Sequence, residues 1–438
     1  MRVHFIGIGG IGISALAKLM ASEGHEISGS DLRQSEITDE LALKYKAKIT
    51  IPHHPDAVEG ADMVIHSAAV RKNNPEYERA KELGIALYAR KEALRFILAN
   101  KRVFAVGGAH GKSTTSAMLA ELMPNADAVI GAISKAFHSN VRTVSSDDLI
   151  FEADESDASF LNCNPYMAVV TNVEPEHMEY YEYDYDRFYA AYEEFLRLAS
   201  VRVVNGEDEF LSSLQIDAIR LYPTADIKEV EYALRDSEPV TRFRLKDLGS
   251  FEVFGLGEHI AVDASLAILA AMEAGVSVEE CRRGIKRYRG IKKRFDIIYS
   301  SEECVVIDDY GHHPTEIRAT MQALRHYGNM LGLSKIKAIW QPHKYSRTMD
   351  NLTAFVEAFE GVDELVILPI WAAGEVEVPI DLKGAFSGYD LTMAQRVTKE
   401  GGEVIVLGNE GEVLKSFDSG IVVAFGAGDI TYQIRGLK

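Results

Sequence analysis

Short apolar runs recur along the first two hundred positions, each followed by a stretch whose apolar residues stand three or four apart. In the first part of the chain the runs fall at 3–6, 26–29, 48–50, 63–66 and 86–88. Strands separated by helices of this length predict a parallel sheet covered by helices. A second series opens at residue 102, with strands at 103–106, 128–130, 149–152, 168–171 and 202–204. Residues 219–254 break the rhythm. Polar and apolar positions alternate there at 229–234 and 241–245, which predicts a small antiparallel excursion. Helices are expected over 261–274 and 278–288, and the basic run 286–294 reads as a hinge into a third series. Its strands are expected at 304–308, 336–341, 365–369, 404–407 and 421–425. The pattern predicts an α/β chain of three units in series, each built on a mainly parallel sheet with helices.

Composition narrows the function classes. With 438 residues, 47% hydrophobic and 26% charged, the chain can fill several cores. A net charge of −19 argues against nucleic acid as a partner, because a phosphate backbone needs a basic surface. The three cysteines, Cys163, Cys281 and Cys304, lie far apart and read as buried apolar residues of a reducing compartment. Arg2 is followed by a glycine-punctuated strand and not by a secretory apolar region. The longest apolar helix, 261–274, is interrupted by Asp263 and Glu273 and is too short to span a bilayer. A soluble cytoplasmic protein without membrane insertion is expected.

The chemistry concentrates after strands. Val103-Phe-Ala-Val-Gly-Gly-Ala-His-Gly-Lys-Ser-Thr-Thr115 passes from an apolar strand through a glycine turn into a helix-forming stretch. That order makes an anion site, since amides freed at a helix N-terminus face the turn and Lys112 reaches over it. Gly108, Ala109, His110, Gly111, Lys112, Ser113 and Thr114 form the expected nucleoside triphosphate cradle. The Ser113 hydroxyl is suited to a Mg²⁺ ion bridging two phosphates. Gly107 and Gly111 enclose three residues, where the common phosphate loop has four.

At the N-terminus, Gly7, Gly9 and Gly12 fit G-x-G-x-x-G, and Asp31 follows the second strand at a distance suited to a ribose contact. Read alone, the loop suggests an NAD(P)-dependent oxidoreductase, another nucleotide diphosphate, or a tight structural turn. Glu152-Ala-Asp-Glu-Ser-Asp157 and Asn172-Val-Glu-Pro-Glu-His177 follow two further strands. Carboxylates with one imidazole suit Mg²⁺ or Mn²⁺ better than structural zinc. In the third series Asp308, Asp309, His312, His313, His343 and Arg347 converge on one sheet edge. They read as substrate-positioning groups, with Arg347 as a carboxylate or phosphate fork.

Together these motifs resemble the Mur ligases, the ATP-dependent amino-acid ligases of peptidoglycan synthesis. The resemblance covers segments 7–12, 108–115, 152–161, 171–177, 308–317, 341–348 and 426–430, nearly the whole chain, and the short Gly-x-x-Gly-Lys-Ser loop fits it. Glu152-Ala-Asp-Glu-Ser-Asp-Ala-Ser-Phe-Leu161 and Asp309-Tyr-Gly-His-His-Pro-Thr-Glu316 point to the branch that adds L-alanine. The resemblance implies a Rossmann-like UDP-sugar domain (1–97), a central phosphate-loop ATPase-like domain (98–292) and a Rossmann-like amino-acid domain (293–438). It implies that ATP phosphorylates the carboxylate of UDP-N-acetylmuramate, and that the amine of L-alanine displaces phosphate from the acyl phosphate. Lys112 would contact the transferring phosphate, while Ser113, Glu155 and His177 would serve Mg²⁺. Gly7, Gly9, Gly10, Gly12 and Asp31 would hold the uridine nucleotide and not NAD. Tyr310, His312, His343 and Arg347 would surround the muramoyl carboxylate and the alanine. A monomer or homodimer is implied. The related ligase that recycles murein peptides is the second reading, and a non-catalytic nucleotide-binding regulator another. Three departures from the family pattern stand out. Ile260 and Asp263 replace asparagines near the adenine, Lys344 replaces an arginine, and the chain is somewhat short.

Overall fold

The computed structural model describes residues 1–437. By its internal contacts the chain divides into two compact units. The first comprises Met1–Glu229, Phe243–Val253 and Ala261–Arg289; the second comprises Val230–Arg242, Phe254–Ile260 and Gly290–Lys438. Among the described residues no helix is long and apolar enough to cross a membrane.

The first unit holds two parallel-rich sheets. Strands β1 (Arg2–Ile6), β2 (Glu26–Ser30), β3 (Lys48–Thr50), β4 (Met63–His66) and β5 (Ala86–Ala89) pair in parallel in the order β3-β2-β1-β4-β5. The order reverses at β1, which opens a crevice beyond its carboxyl end. The second sheet contains β6 (Arg102–Gly107), β7 (Asp127–Ser134), β8 (Ser139–Arg142), β9 (Asp148–Glu152), β10 (Pro165–Val170), β11 (Val201–Asn205) and β12 (Ile219–Leu221). Its order is β12-β11-β10-β6-β9-β7-β8, with only the β7–β8 pair antiparallel. Strand β6 therefore lies between β10 and β9, and the loops after all three open on one edge. One apolar cluster, running from Val3 to Leu211, packs both sheets.

A buried cation ties the two sheets together. Lys18, on the helix Ile11–Ser22, is 1% exposed. Its ammonium donates to Glu40 at 2.5 Å and to Asn140 Oδ1, on β8, at 2.8 Å. Asn140 Nδ2 in turn donates to the Ile11 carbonyl at 2.8 Å.

The antiparallel excursion takes the form of a three-stranded sheet, β13 (Ile227–Arg235), β14 (Glu238–Leu245) and β15 (Ser250–Phe254). Asp236 and Ser237 join β13 to β14 with positive φ at both positions, the twist that suits a two-residue hairpin.

The second unit is organised by a six-stranded sheet. It comprises β16 (Asp296–Ser300), β17 (Cys304–Asp309), β18 (Ile336–Trp340), β19 (Glu364–Ile367), β20 (Leu391–Met393) and β24 (Gly420–Phe425). Their order is β16-β17-β24-β18-β19-β20, parallel except for the β16 edge. The strand expected over 404–407 forms, but outside this sheet. It is the centre of an antiparallel sheet of β21 (Arg396–Glu400), β22 (Glu403–Leu407) and β23 (Val413–Phe417). Four consecutive apolar residues look like a doubly buried strand, yet Val404 and Val406 are fully buried while Ile405 is half-buried. The Gly401-Gly402 pair between β21 and β22 was the available hairpin signal.

Candidate active site

The second sheet gathers three loops at adjacent strand ends. Val106 pairs with Glu152 and Gly107 with Val170, so β9 and β10 deliver their acidic loops on either side of the phosphate loop. The helix Lys112–Leu122 begins at Gly111, whose φ is +80° and which supplies no side-chain cap. Its first amides are therefore open to an anion. Asp263 lies against this turn, 2.5 Å from where a Cβ on Gly111 would stand. The loop is held from β10: His110 N donates to Asn172 Oδ1 (2.9 Å), and the His110 carbonyl accepts from Thr171 Oγ1 (2.5 Å) and Asn172 Nδ2 (3.0 Å).

Lys112 Nζ bridges the loop and the acidic segment. It donates to the Gly108 carbonyl (2.6 Å), the Ala109 carbonyl (3.0 Å) and Glu155 Oε1 (3.1 Å). Burial works against this charge, but Glu155, Glu152 and Asp154 outweigh it and hold the ammonium above its ordinary pKa. Burial also pushes the Glu155 carboxyl up to about 7, against the pull of Lys112.

Ligand atoms of Glu155, Glu176 and His177 lie within 4.8 Å of one another. Two carboxylates and one imidazole form a donor set for a hard divalent cation. Glu155 Oε2 is buried and accepts no hydrogen bond, with Lys112 Nζ 3.0 Å away as its ion-pair partner. His177 stands at φ +53°, a conformation unusual for a residue with a side chain. The sequence reading thus places Glu155 and His177 together but misses Glu176. Ser113, expected beside them, donates its hydroxyl to Glu152 Oε1 at 2.9 Å.

In the first sheet the loop after β1 is drawn onto β2. The amides of Gly7 and Ile8 both donate to the Ser30 carbonyl, at 2.8 and 2.9 Å. Asp31 accepts from Gly9 N at 2.8 Å, so its carboxylate supports the glycine turn directly. Gly10 precedes the helix Ile11–Ser22 without a side-chain cap. Arg90 was not singled out by spacing, because its approach is purely tertiary. Its Nη1 lies 2.9 Å from where a Cβ on Gly12 would stand. Its Nη2 donates to Ser159 (3.1 Å) and faces Asp154 (3.6 Å) and Asp157 (3.8 Å). Arg90 thus links the glycine loop to the segment bearing Glu155.

In the second unit, the loops after β17 and β18 bring Tyr310, His312, His343 and Arg347 together. The rings of Tyr310 and His312 are 5.0 Å apart, and those of His312 and His343 5.9 Å. Arg347 Nη1 is 3.2 Å from His343 Nδ1. Since guanidinium only donates, that nitrogen accepts, and the His343 proton sits on Nε2. His312 Nδ1 is 3.0 Å from the Tyr310 carbonyl, which only accepts, so Nε2 of His312 is bare. The pair therefore offers one donor and one acceptor. Arg294 caps the Tyr310 ring at 5.5 Å and donates to Glu316 at 2.7 Å. Asp308 and Asp309 play structural parts: Asp308 binds Thr431 and Arg435, while Asp309 accepts from Phe295 N and Gly311 N. His313 occupies the N-cap position of the helix Pro314–Leu331, where its amide donates to Glu316 Oε2 at 3.3 Å.

Burial pulls both histidines down to about 4, with repulsion from Arg347 added, so both are neutral at pH 7. Unfolded, each would titrate near 6.5. Below that pH the unfolded chain takes up protons that the folded chain refuses, and stability falls as pH drops from 6.5 towards 4. Asp309 and Glu155, pushed up by burial to about 6 and about 7, oppose this together with Glu121 and Glu152, which burial also raises, while His259, pulled down to about 4, adds to it. The share of these two histidines is isolated by comparison. Between pH 6.5 and 4 the His312→Gln, His343→Gln double variant should lose less of its urea midpoint than the unaltered chain. An unchanged pH slope in the double variant would contradict the assignment.

Known proteins match along the whole chain. Residues 2–102 match the model of the Mur ligase family catalytic domain, 106–270 the Mur ligase middle domain, and 293–413 the Mur ligase glutamate ligase domain. The UDP-N-acetylmuramate–L-alanine ligase of Campylobacter curvus is 54% identical over 435 residues, covering 99% of each chain. That of Helicobacter pylori is 51% identical over 437 residues, covering 99% of this chain and 96% of its own. Among solved structures, the UDP-N-acetylmuramate-alanine ligase of Thermotoga maritima superposes with a TM-score of 0.82 at 27% identity, covering 99% of this chain and 97% of its own. A murein peptide ligase from Psychrobacter arcticus shares the fold, with a TM-score of 0.64 at 19% identity and coverage of 98% and 96%. Phosphate loop, acidic segments and full-length matches agree, and the chain belongs to the Mur ligase family.

Proposed function

We propose that this protein joins L-alanine to the lactyl carboxylate of UDP-N-acetylmuramate at the expense of ATP, giving UDP-N-acetylmuramoyl-L-alanine, ADP and phosphate for peptidoglycan synthesis. The observation that carries this reading is the Lys112 loop beside the Glu155–Glu176–His177 donor group, in a chain 54% identical over its length to an enzyme named for that reaction. We assign 1–97 to the sugar nucleotide, 98–292 to ATP and 293–438 to the amino acid. The cytoplasm is the expected compartment.

In the first step the muramoyl carboxylate oxygen attacks the γ-phosphorus of ATP, and ADP leaves. Lys112 and the amides at the start of the helix Lys112–Leu122 stabilise the charge spread over the transferring oxygens. Gly108, Ala109, His110, Gly111 and Thr114 complete the phosphate cradle. Ser113, Glu155 and His177, with Glu176, are the residues that would hold Mg²⁺. Bound there, the ion would neutralise phosphate charge. In the second step the alanine amine attacks the acyl phosphate carbonyl, and phosphate departs from a tetrahedral intermediate. Arg347 is assigned to the amino-acid carboxylate, with His343 as a donor, His312 as an acceptor and Tyr310 beside them. Gly7, Gly9, Gly10, Gly12 and Asp31 take the uridine diphosphate, with Arg90 as the adjacent cation. Positioning supplies much of the acceleration. Asp263, which replaces an asparagine of the family pattern, is set against the phosphate loop.

Phosphate release should require UDP-N-acetylmuramate and L-alanine together. Strong release with neither would contradict the reading, and a preference for a murein tripeptide would move the protein to peptide recycling.

A further inference from the structure

We propose that the indole of Trp371 walls the amino-acid subsite and sets the size of side chain it admits, so that L-alanine is taken and larger residues are turned away. The inference deepens the proposed function and rests on its assignment of Arg347 to the amino-acid carboxylate.

Trp371 lies in the loop after β19, a strand parallel to β18, so it stands at the sheet edge that carries His343 and Arg347. Its backbone is locked to their loop. Trp371 N donates to the Pro342 carbonyl at 2.8 Å, and Lys344 N donates to the Trp371 carbonyl at 2.9 Å. These two bonds form an isolated parallel bridge between Trp371 and His343. Residues paired across a parallel bridge send their side chains to the same side of the ladder. The indole and the His343 imidazole therefore share a side, and that imidazole accepts from Arg347 at 3.2 Å. Four residues on, Glu375 fastens the same loop by accepting Ser346 N at 3.0 Å and Ser346 Oγ at 2.6 Å.

The chain has two tryptophans, and they serve different ends. Trp340 is 1% exposed and packs among the rings of Phe355, Phe359 and Phe386. Trp371 is 42% exposed, so core packing does not account for its size. The ring is nevertheless supported from behind. A Cβ built on Gly428, in the loop after β24, would lie 2.8 Å from Trp371 Cγ. Gly428 has no positive φ, so close approach of the indole, and not backbone conformation, is what its glycine allows. A broad apolar side chain with few torsions, on a fixed backbone and backed on one side, makes a rigid contact surface at little entropic cost. Such a wall rejects a larger side chain by collision and favours a methyl over glycine by contact.

The test measures kcat/KM for glycine, L-alanine, L-valine and L-leucine in the unaltered chain, Trp371→Phe and Trp371→Ala, with thermal midpoints alongside. Trp371→Ala should raise the ratio for L-valine over L-alanine by about 10–200-fold, the range for fitting extra methylenes into an apolar pocket. Trp371→Phe should fall between. The change should appear mainly in the amino-acid KM, while KM for ATP and for UDP-N-acetylmuramate holds. A purely structural role would lower all four amino acids alike, so unchanged ratios in a folded variant overturn the inference. Should Trp371→Ala not fold, Trp371→Phe carries the same comparison. A second readout needs no turnover. With Trp340 buried, acrylamide quenching of fluorescence reports Trp371. L-Alanine added to the complex with UDP-N-acetylmuramate and a non-hydrolysable ATP analogue should reduce the quenching. Unchanged quenching at saturating L-alanine, with binding confirmed by calorimetry, also overturns the inference. If the unaltered chain releases no phosphate with L-alanine, the proposed function itself fails.

Discussion

Lys112→Ala should abolish useful turnover, lowering kcat by about 10²–10³-fold or more, as expected for removing a principal donor to a charged transition state. The structure gives Lys112 two tasks. It anchors the phosphate loop through the Gly108 and Ala109 carbonyls, and it is the counter-charge of Glu155, which is 1% exposed. Truncation therefore removes the cation that meets the transferring phosphate and strands a buried carboxylate. Glu155, with its pKa already pushed up to about 7, can respond by holding a proton. The stability loss should then stay near the ~1–3 kcal/mol of an unsatisfied buried group, well short of unfolding. Glu155→Gln in the Lys112→Ala background should recover stability and no activity. Phosphate release at saturating ATP, with urea midpoints for the single and double variants, separates the two tasks. A fall in kcat of less than tenfold would exclude Lys112 from the phosphate transfer.

Gly108→Ala should be nearly as damaging, by a different route. Gly108 stands at φ +136°, a region closed to side-chain-bearing residues, and a Cβ there falls on Thr171 Oγ1, with the Asn172 backbone at 3.1 Å. The strain is about 1–3 kcal/mol before the collision is counted. The loop cannot relax freely, because Ala109 N, His110 N and the His110 carbonyl are all tied to Thr171 and Asn172. The expected result is loss of ATP binding by at least tenfold, with activity falling in parallel. Adding Thr171→Ala removes one collision and leaves the φ strain, so it should restore binding only in part. Full ATP affinity in Gly108→Ala, measured by calorimetry, would contradict this account.

Both sites lie where the sequence pattern points, because a parallel sheet sends its strand ends to one edge and loops there carry the polar residues. Strands β6, β9 and β10 read clearly as short apolar runs, and their loops follow directly. Spacing could not separate roles inside one acidic segment. Glu152 and Glu155 are three residues apart, yet only Glu152 touches Ser113, because it ends the strand while Glu155 lies in the turn beyond. Arg90 and Glu176 were missed for related reasons. Arg90 reaches Gly12 only through packing of its helix, and Glu176 was hidden in a run of acids beside His177. Strand β16 was overlooked because Asp296-Ile-Ile-Tyr-Ser300 has too few apolar residues to stand out beside a basic run. The same ambiguity misplaced β22, whose apolar run carries no mark of which sheet receives it.

The buried Lys18 gives the first unit a property of its own. Peeling the helix Ile11–Ser22 away from β8 would break the Lys18–Asn140 and Asn140–Ile11 hydrogen bonds and the shared apolar packing, while Lys18 keeps Glu40 of the helix Glu36–Tyr45. The two sheets of this unit share one apolar cluster as well as this polar tie, so opening one sheet uncovers the other. Breathing of the N-terminal glycine loop must be confined to the loop itself, and any larger opening must expose the phosphate-loop sheet as well. A protease that cuts only the opened chain would find the first unit closed or wholly unfolded, with little between.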